Sequence, residues 1–79
     1  MSRLPVLKPT ELIGVLGIGK AGFRVVRQKG SHVRMKHPDG RVVTIPVHTG
    51  RDIGTGLLRK VLRDAELTRD EFIALLSDV

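Results

Sequence analysis

The sequence predicts an α+β fold: a two-layer sandwich in which a three-stranded antiparallel sheet packs against helices, in the order α-β-β-β-α with a short C-terminal helix. Three segments between residues 23 and 46 alternate apolar and polar side chains and are separated by turn residues, as in a β-meander. Two later segments repeat apolar residues at helical spacing. One face of such a sheet needs cover, and the apolar stripes of the helices supply it.

The first 22 residues predict a loose lead-in followed by one weak helix. Residues 1–8 show no hydrophobic period, whereas Pro9-Thr10-Glu11 combines a proline and an acid as helix starts do. The apolar face of this helix is expected to comprise Leu12, Ile13, Leu16 and Ala21. Glycines at positions 14, 17 and 19 each cost about 1 kcal/mol relative to alanine in a helix. Gly22 is predicted to end the helix.

The first strand is predicted over residues 23–29, where the alternation is imperfect. One face is expected to carry Phe23, Val25 and Arg27, with Val26 on the other. Gly30-Ser31 is typical of a turn, so the chain should reverse there into the second strand.

The second and third strands have clearer patterns than the first. Residues 33–37 alternate cleanly, with Val33 and Met35 expected inward and Arg34 and Lys36 outward. Pro38-Asp39-Gly40 strongly favours a tight turn. Residues 41–46 are rich in β-branched side chains and end at a proline, which suits a third strand.

Two helices are predicted after a loop at residues 47–54. The first runs from about Thr55 to Ala65, and its apolar face should consist of Leu57, Leu58, Val61, Leu62 and Ala65. Thr68 and Glu71 have the spacing of a capping box, so the last helix should begin at Arg69. Its inward side chains are expected to be Phe72, Leu75 and Leu76.

Composition indicates one domain, residues 1–79, with a basic surface. Lys and Arg number 14 against 8 Asp and Glu, and this net charge of +6 favours a polyanionic partner, either nucleic acid or an acidic protein. The absence of cysteine excludes disulfides and thiolate metal sites and fits a cytoplasmic protein. No apolar run is long enough to span a membrane. Two phenylalanines without Trp or Tyr argue against stacking several bases on aromatic rings.

His32 is the main candidate for chemistry, because imidazole transfers protons near neutral pH without help. It follows the Gly30-Ser31 turn, whose backbone N–H groups and hydroxyl could meet a phosphate oxygen. The cationic side chains expected to flank it are Arg27, Lys29, Arg34 and Lys36. RNA carries its own nucleophile, the ribose 2′-hydroxyl, so a base among cations could cleave it without metal. The alternative interpretation is an ordinary polar residue in a hairpin turn.

The other histidines are weaker candidates. His37 precedes the predicted Pro38 turn and is expected to be solvated there, while His48 could reach the His32 site or lie in a loop. The histidine and aspartate spacings match no zinc pattern, so no metal and no cofactor are expected. The glycines near residue 17 follow no predicted strand and therefore do not form a dinucleotide fingerprint.

Several segments together resemble one known family, the HicA (YcfA-like) toxins. The matching segments are 20–23 (KAGF), 27–32 (RQKGSH), 36–40 (KHPDG), 43–48 (VTIPVH) and 56–65 (GLLRKVLRDA). Leu67-Thr68 and Glu71-Phe72 continue the pattern, and the resemblance covers about residues 9–76. Val33 stands where the family often has a second histidine, and Glu66 stands where glycine is usual.

The resemblance implies both a fold and an activity. The fold would be that of a double-stranded-RNA-binding domain, and the activity that of an mRNA interferase, a ribosome-independent endoribonuclease of a type II toxin–antitoxin system. His32, in the Gly-Ser-His motif, would be the catalytic residue, acting as general acid or base without a metal. The implied partners are mRNA and a HicB-type antitoxin, with no membrane and no DNA contact by the toxin alone.

Two other functions remain open from the residues themselves. The chain could be a non-catalytic module that binds double-stranded RNA and leaves it intact. It could also be a small protein-interaction domain whose charge serves an acidic partner. For both the endoribonuclease and the binding module, the predicted RNA-binding residues are Arg27, Lys29, Gly30, Ser31, Arg34, Lys36 and His48.

Overall fold

A computed structural model describes residues 4–17, 19–48 and 50–77 of the chain. Three helices and one sheet follow each other in the predicted order. Their bounds are α1 Pro9–Leu16, β1 Arg24–Lys29, β2 His32–Lys36, β3 Val42–Pro46, α2 Thr55–Ala65 and α3 Arg69–Ser77. The α+β prediction is confirmed, because three antiparallel strands form a single sheet and the helices bury its inner face.

The sheet has β2 in the centre and a β-bulge in its first strand. In the pairing of β1 with β2, Val25 lies opposite Met35 and Arg27 lies opposite Arg34. Val26 is therefore an extra residue without a cross-strand partner. Directly opposed residues share a face, so Val25 lies on the inner face and Arg27 on the outer face. The prediction that these two residues share a face is therefore wrong, because a bulge shifts the period-2 alternation by one residue.

One hydrophobic core joins the inner face of the sheet to all three helices. The sheet contributes Val33 and Met35 of β2 with Val43 and Ile45 of β3, all buried as their alternation predicts. Phe23, just before β1, and Phe72 of α3 are the largest fully buried side chains. Because both phenylalanines are buried and the chain has no Trp or Tyr, no six-membered aromatic ring or indole is left on the surface.

The first helix is shorter than its sequence pattern suggests. It ends at Leu16, because Gly17 takes an extended conformation with φ −65° and ψ 177°. The prediction that Gly22 ends this helix is wrong; the helix stops five residues earlier in the glycine-rich stretch. Before the helix, Leu7 is buried and its carbonyl accepts the backbone N–H of Ile53 at 2.6 Å. This bridge ties the segment at residues 4–8 to the loop before α2.

Helix α2 has the predicted bounds, and α3 begins at Arg69 as predicted. In α2 the buried side chains are Leu58, Val61, Leu62 and Ala65, with Leu57 partly buried against the core. At the start of α3, the Thr68 N–H donates to Glu71 Oε1 at 2.8 Å and the Glu71 N–H donates to Thr68 Oγ1 at 3.1 Å. This reciprocal pair is the predicted capping box, and it satisfies two backbone donors at the helix end.

Candidate nucleic-acid interface

His32 is placed by a two-residue hairpin turn between β1 and β2. Gly30 has φ +56°, and Ser31 does not have a positive φ, which is the pattern of a type II′ turn with glycine at its first central position. This turn fixes Lys29 directly opposite His32 in the sheet. Opposed side chains have Cβ atoms about 5 Å apart. His32 and Lys29 are therefore exposed neighbours on the same face, at the end of the sheet.

The directly paired outward residues of β1 and β2 are all basic. They form three directly opposed pairs along the two strands: Arg24 with Lys36, Arg27 with Arg34, and Lys29 with His32. All six side chains are exposed, and we refer to them as the cationic stripe. The outward residues of the neighbouring strand β3 are Val42, Thr44 and Pro46, which carry no charge. The stripe therefore follows the β1 edge of an otherwise neutral outer face.

The cationic stripe has no anionic counterpart within residues 4–17, 19–48 and 50–77. The salt bridges found in that part of the chain join His37 and Arg41 to Asp39, and Lys60 to Asp64. Like charges directly opposed in a sheet destabilise it. The two pairs that join permanently charged side chains, Arg24 with Lys36 and Arg27 with Arg34, are therefore unfavourable in the isolated protein, and an anionic ligand lying along them would relieve the repulsion.

Ser31 and Gly30 hold the turn in place. The Ser31 carbonyl accepts the backbone N–H of Val47, which joins the turn to the residues that follow β3. Gly30 has open space around its Cα, so its positive φ rather than a close neighbour requires glycine there. Ser31 directly precedes His32 in the chain and is half-buried.

His48 lies beyond the end of the third strand. Pro46 of β3 is the cross-strand partner of His32, and His48 follows it by two residues. The exposed His48 side chain lines a groove of about 400 Å³ together with Lys8 and Arg51. His48 therefore belongs to a second group of basic side chains, which lines this groove.

His37 is packed rather than solvated, which corrects the prediction from the sequence. Its ring lies edge-on to Phe23 with the two centroids 5.2 Å apart. The Asp39 backbone N–H donates to His37 Nδ1 at 3.1 Å, so a neutral ring carries its proton on Nε2. Asp39 Oδ1 lies 3.0 Å from the same nitrogen, and it forms no hydrogen bond with Nδ1 while the ring is neutral, because both atoms are then acceptors.

Arg41 connects this turn to the core and to α2. Its Nε donates to both carboxylate oxygens of Asp39, and hydrogen bonding from Arg41 lowers the pKa of that carboxyl group. The guanidinium lies 5.2 Å from the centroid of the Phe23 ring, and its Nη1 donates to the Ala65 carbonyl at the end of α2. Nothing in the local sequence pattern around Arg41 points to this contact, because its partner lies 24 positions away in the chain.

Arg24 was also missed at the sequence level, although it belongs to the cationic stripe. Its pairing with Lys36 depends on the register between the strands, which local alternation does not specify. The residues predicted to flank His32 (Arg27, Lys29, Arg34 and Lys36) all lie in the stripe. Its far end borders a cavity of about 510 Å³ that Arg24, Lys36 and His37 help to line.

Neither metal-binding clusters nor transmembrane helices are found in the described residues. Within those ranges, no three His, Asp or Glu side chains come together as a metal-binding group. None of the described helices is both long and apolar enough to cross a membrane.

Comparison with protein families assigns most of the chain. Residues 18–67 match the family described as the HicA toxin of bacterial toxin–antitoxin systems. The match covers more than half of the chain and spans the sheet, the hairpin turn with His32 and helix α2. No curated protein sequence matches the chain.

Proposed function

This protein belongs to the HicA toxin family of toxin–antitoxin systems, and from that premise we propose that it is an endoribonuclease that cleaves mRNA with His32 as general acid or base. The observation that carries the proposal is the position of His32: exposed, directly opposite Lys29, and at the end of the cationic stripe. An RNA phosphate held by these cations would bring a ribose hydroxyl to the imidazole. Family membership makes the chain a toxin that has an antitoxin partner.

The proposed reaction uses the nucleophile that RNA already contains. The neutral imidazole of His32 accepts the proton of a ribose 2′-hydroxyl, and the 2′-oxygen attacks the adjacent phosphorus. The bond from phosphorus to the 5′-oxygen breaks, and this oxygen leaves with a proton from a second donor. The Lys29 ammonium stabilises negative charge on the phosphoryl oxygens. The products carry a 2′,3′-cyclic phosphate and a 5′-hydroxyl, and neither water nor a metal ion is consumed.

A cleavage assay with His32→Ala tests this mechanism. Purified wild-type protein should cleave single-stranded RNA in the presence of a chelator, whereas the variant should cleave at least about 100-fold more slowly because it lacks the proton-transfer group. Thr44→Ala is a matched control, since Thr44 is an exposed, uncharged residue on the same face of the sheet. Equal rates for wild type and His32→Ala, with both proteins folded by circular dichroism, would remove His32 from the mechanism.

The same assay separates the proposal from a non-catalytic binding module. A module that only binds RNA would shift the probe on a native gel and leave it intact, and His32→Ala would weaken binding only slightly. DNA of the same sequence lacks the 2′-hydroxyl and should remain uncut in either case. Induced expression in a bacterium adds an independent readout: wild type should arrest growth with loss of mRNA, and His32→Ala should not.

The antitoxin partner is proposed to be of the HicB type and to block the outer face of the sheet. A chain with a net charge of +6 and an uncompensated cationic stripe attracts acidic surfaces. An antitoxin over that face would cover His32 and exclude RNA at the same time. An mRNA substrate also places the activity in the cytoplasm.

A further inference from the structure

The proposed reaction needs a proton donor for the leaving 5′-oxygen, and imidazole is the side chain that titrates near neutral pH. The chain has three histidines, at positions 32, 37 and 48. His37 packs on Phe23 just beyond the far end of β2, about 16 Å from His32 along the strand. His48 is exposed and follows β3 at the same end of the sheet as His32. His48 is therefore the candidate for the second group.

The pairing of β3 with β2 continues beyond Pro46. The Val47 backbone N–H donates to the Ser31 carbonyl, which extends the ladder by one residue. Ser31 and Val47 thus form a hydrogen-bonded pair, so the adjacent pair, His32 with Pro46, is of the non-hydrogen-bonded kind. Proline suits this position, because no N–H is needed there. Opposed side chains approach each other most closely in pairs of this kind.

Alternation along the chain directs His48 to the outer face of the sheet. Val47 is partly buried against the core and faces inward, whereas Pro46, directly opposite the exposed His32, faces outward. The residue after Val47 faces outward again. His48 is then the diagonal neighbour of His32, and diagonal neighbours have Cβ atoms about 7 Å apart. The His48 carbonyl accepts the Arg51 backbone N–H at 3.0 Å, which holds the chain on the other side of this residue.

This separation suits one phosphodiester between two imidazole rings. In-line displacement places the attacking 2′-oxygen and the leaving 5′-oxygen on opposite sides of the phosphorus. Each oxygen must come within about 2.6–3.2 Å of its proton-transfer group. Two imidazoles that extend from Cβ atoms about 7 Å apart can reach both oxygens at once. The groove of about 400 Å³ beside His48 has room for the leaving nucleotide.

We propose that His48 is the general acid of the reaction: its protonated imidazole gives a proton to the 5′-oxygen as the bond from phosphorus to that oxygen breaks. This inference rests on the proposed function, in which His32 removes the proton of the 2′-hydroxyl, and it supplies the donor that the reaction needs. Each cleavage takes up one proton and gives one. His32 is left protonated and His48 neutral, and exchange with water restores both starting forms.

RNA with a sulfur atom in place of the 5′-oxygen at the cleaved linkage tests this role. A thiolate leaves without a proton, because an ordinary thiol has a pKa of about 8.5. His48→Ala should cleave the normal strand at least about 100-fold more slowly than wild type, but the sulfur strand within about threefold of the wild-type rate. His32→Ala should be slow on both strands, because the 2′-hydroxyl still needs a base.

Two further variants separate proton transfer from binding. His48→Gln keeps a side chain that forms hydrogen bonds but cannot transfer a proton, so it should behave as His48→Ala does. Arg51→Gln is the matched control, because it removes a cation from the same groove and leaves the imidazole in place. It should slow cleavage of both strands by the same factor, mainly through KM, since its effect does not depend on the leaving group.

The pH dependence of kcat/KM is an independent readout. Wild type should show a bell-shaped profile, because one imidazole must be neutral and the other protonated. His48→Ala should lose the decline on the alkaline side and keep the decline on the acid side. The charged groups that face His48 are Lys8, Arg51 and Asp52 in the groove, and Lys29 opposite His32. The profiles are therefore compared at one fixed ionic strength.

The outcomes distinguish this inference from the proposed function. If His48→Ala cleaves the normal strand as wild type does while His32→Ala is inactive, His48 is not the acid and the proposed function stands. Equal losses on the two strands for His48→Ala also overturn the inference, because they indicate binding rather than proton transfer. If wild type cleaves neither strand, the proposed function fails and the inference fails with it. Circular dichroism melts verify that each variant is folded, and His48→Gln replaces His48→Ala if the latter is not.

Discussion

Gly22 and His37 are in contact although 15 residues separate them along the chain. Gly22 has φ +90°, and a Cβ atom built on it would lie 2.9 Å from His37 Nε2 and 3.1 Å from its Cδ2. The glycine therefore has two roles, a left-handed backbone conformation and space for the imidazole. His37 in turn packs on Phe23, so this pair supports the strand end that carries Arg24.

Gly22→Ala should consequently destabilise the protein by about 2 kcal/mol, because both the backbone and the packing are incompatible with a methyl group. Thermal unfolding followed by circular dichroism measures the loss. Gly14→Ala is the matched control, since a Cβ atom there meets nothing within 4 Å. A change at Gly22 within about 0.3 kcal/mol of wild type would mean that the ring moves away freely.

Helix α1 offers a prediction of the opposite sign. Gly14 lies inside the helix and is exposed, and glycine in such a position costs about 0.5–1 kcal/mol relative to alanine. Gly14→Ala should therefore raise the free energy of unfolding by about that amount, measured by urea denaturation. A decrease would contradict this account of Gly14, because alanine is favoured over glycine at an exposed position inside a helix.

The capping box of α3 predicts how stability depends on pH. The backbone N–H of Thr68 donates a hydrogen bond to the Glu71 carboxylate and is the main cause that lowers the pKa of this group below its ordinary value of 4.5. Hydrogen bonding with the Thr68 side chain lowers the pKa further. A carboxyl group with a depressed folded-state pKa stabilises the protein above its unfolded pKa and loses that contribution as the pH falls through the folded value. Wild type should therefore lose stability below about pH 4.5.

Glu71→Gln should reduce the loss of stability at acid pH, because the amide does not titrate. At neutral pH the variant should be slightly less stable than wild type. Melting temperatures between pH 3 and pH 7 provide the measurement, and Asp70→Asn, an exposed acid one residue earlier, is the control. Identical pH profiles for wild type and Glu71→Gln would show that the cap does not persist in solution.

The helices and strands that can be predicted from the sequence are those whose apolar residues repeat regularly. The bounds and the buried face of α2 follow from its local residues, as do the inward side chains of β2 and the start of α3 at its capping box. The end of α1 was not predictable in the same way, because several glycines compete as stop signals. The faces of β1 depend on a bulge that only pairing with β2 reveals.

The candidate site was predictable to a similar degree. His32 and its turn are local, since Gly30-Ser31 forms a hairpin wherever two strands flank it. Arg24 required the register of the strands, and the packed position of His37 required the contact with Phe23. The membership of Arg24 in the stripe and the packed position of His37 therefore could not be predicted, because both depend on contacts between residues distant in the sequence.

The whole molecule depends on two buried phenylalanines. A domain of 79 residues has a thin core and is expected to be stable by about 4–12 kcal/mol. Among the residues of α3, Phe72 alone is fully buried. It therefore joins this helix to the core. Its side chain therefore accounts for a large share of the stability of the fold.

Phe72→Ala should cost about 3–5 kcal/mol and leave much of the protein unfolded at 37 °C. Phe72→Leu, which keeps most of the volume, should cost clearly less. Circular dichroism melts show the difference, since the chain has no tryptophan for fluorescence. Equal melting temperatures for wild type and Phe72→Ala would mean that α3 is not part of the cooperative unit.

The bulged first strand also affects how copies of the chain meet one another. β1 is a free edge, and its neighbouring valines, Val25 and Val26, are 49% and 46% exposed. An exposed apolar edge normally invites another strand to add to the sheet. Here the irregular backbone at Val26 interrupts the ladder, and repulsion between like-charged side chains keeps a second molecule away. The same arrangement that directs the arginines outward thus guards against fibre formation when the protein is concentrated.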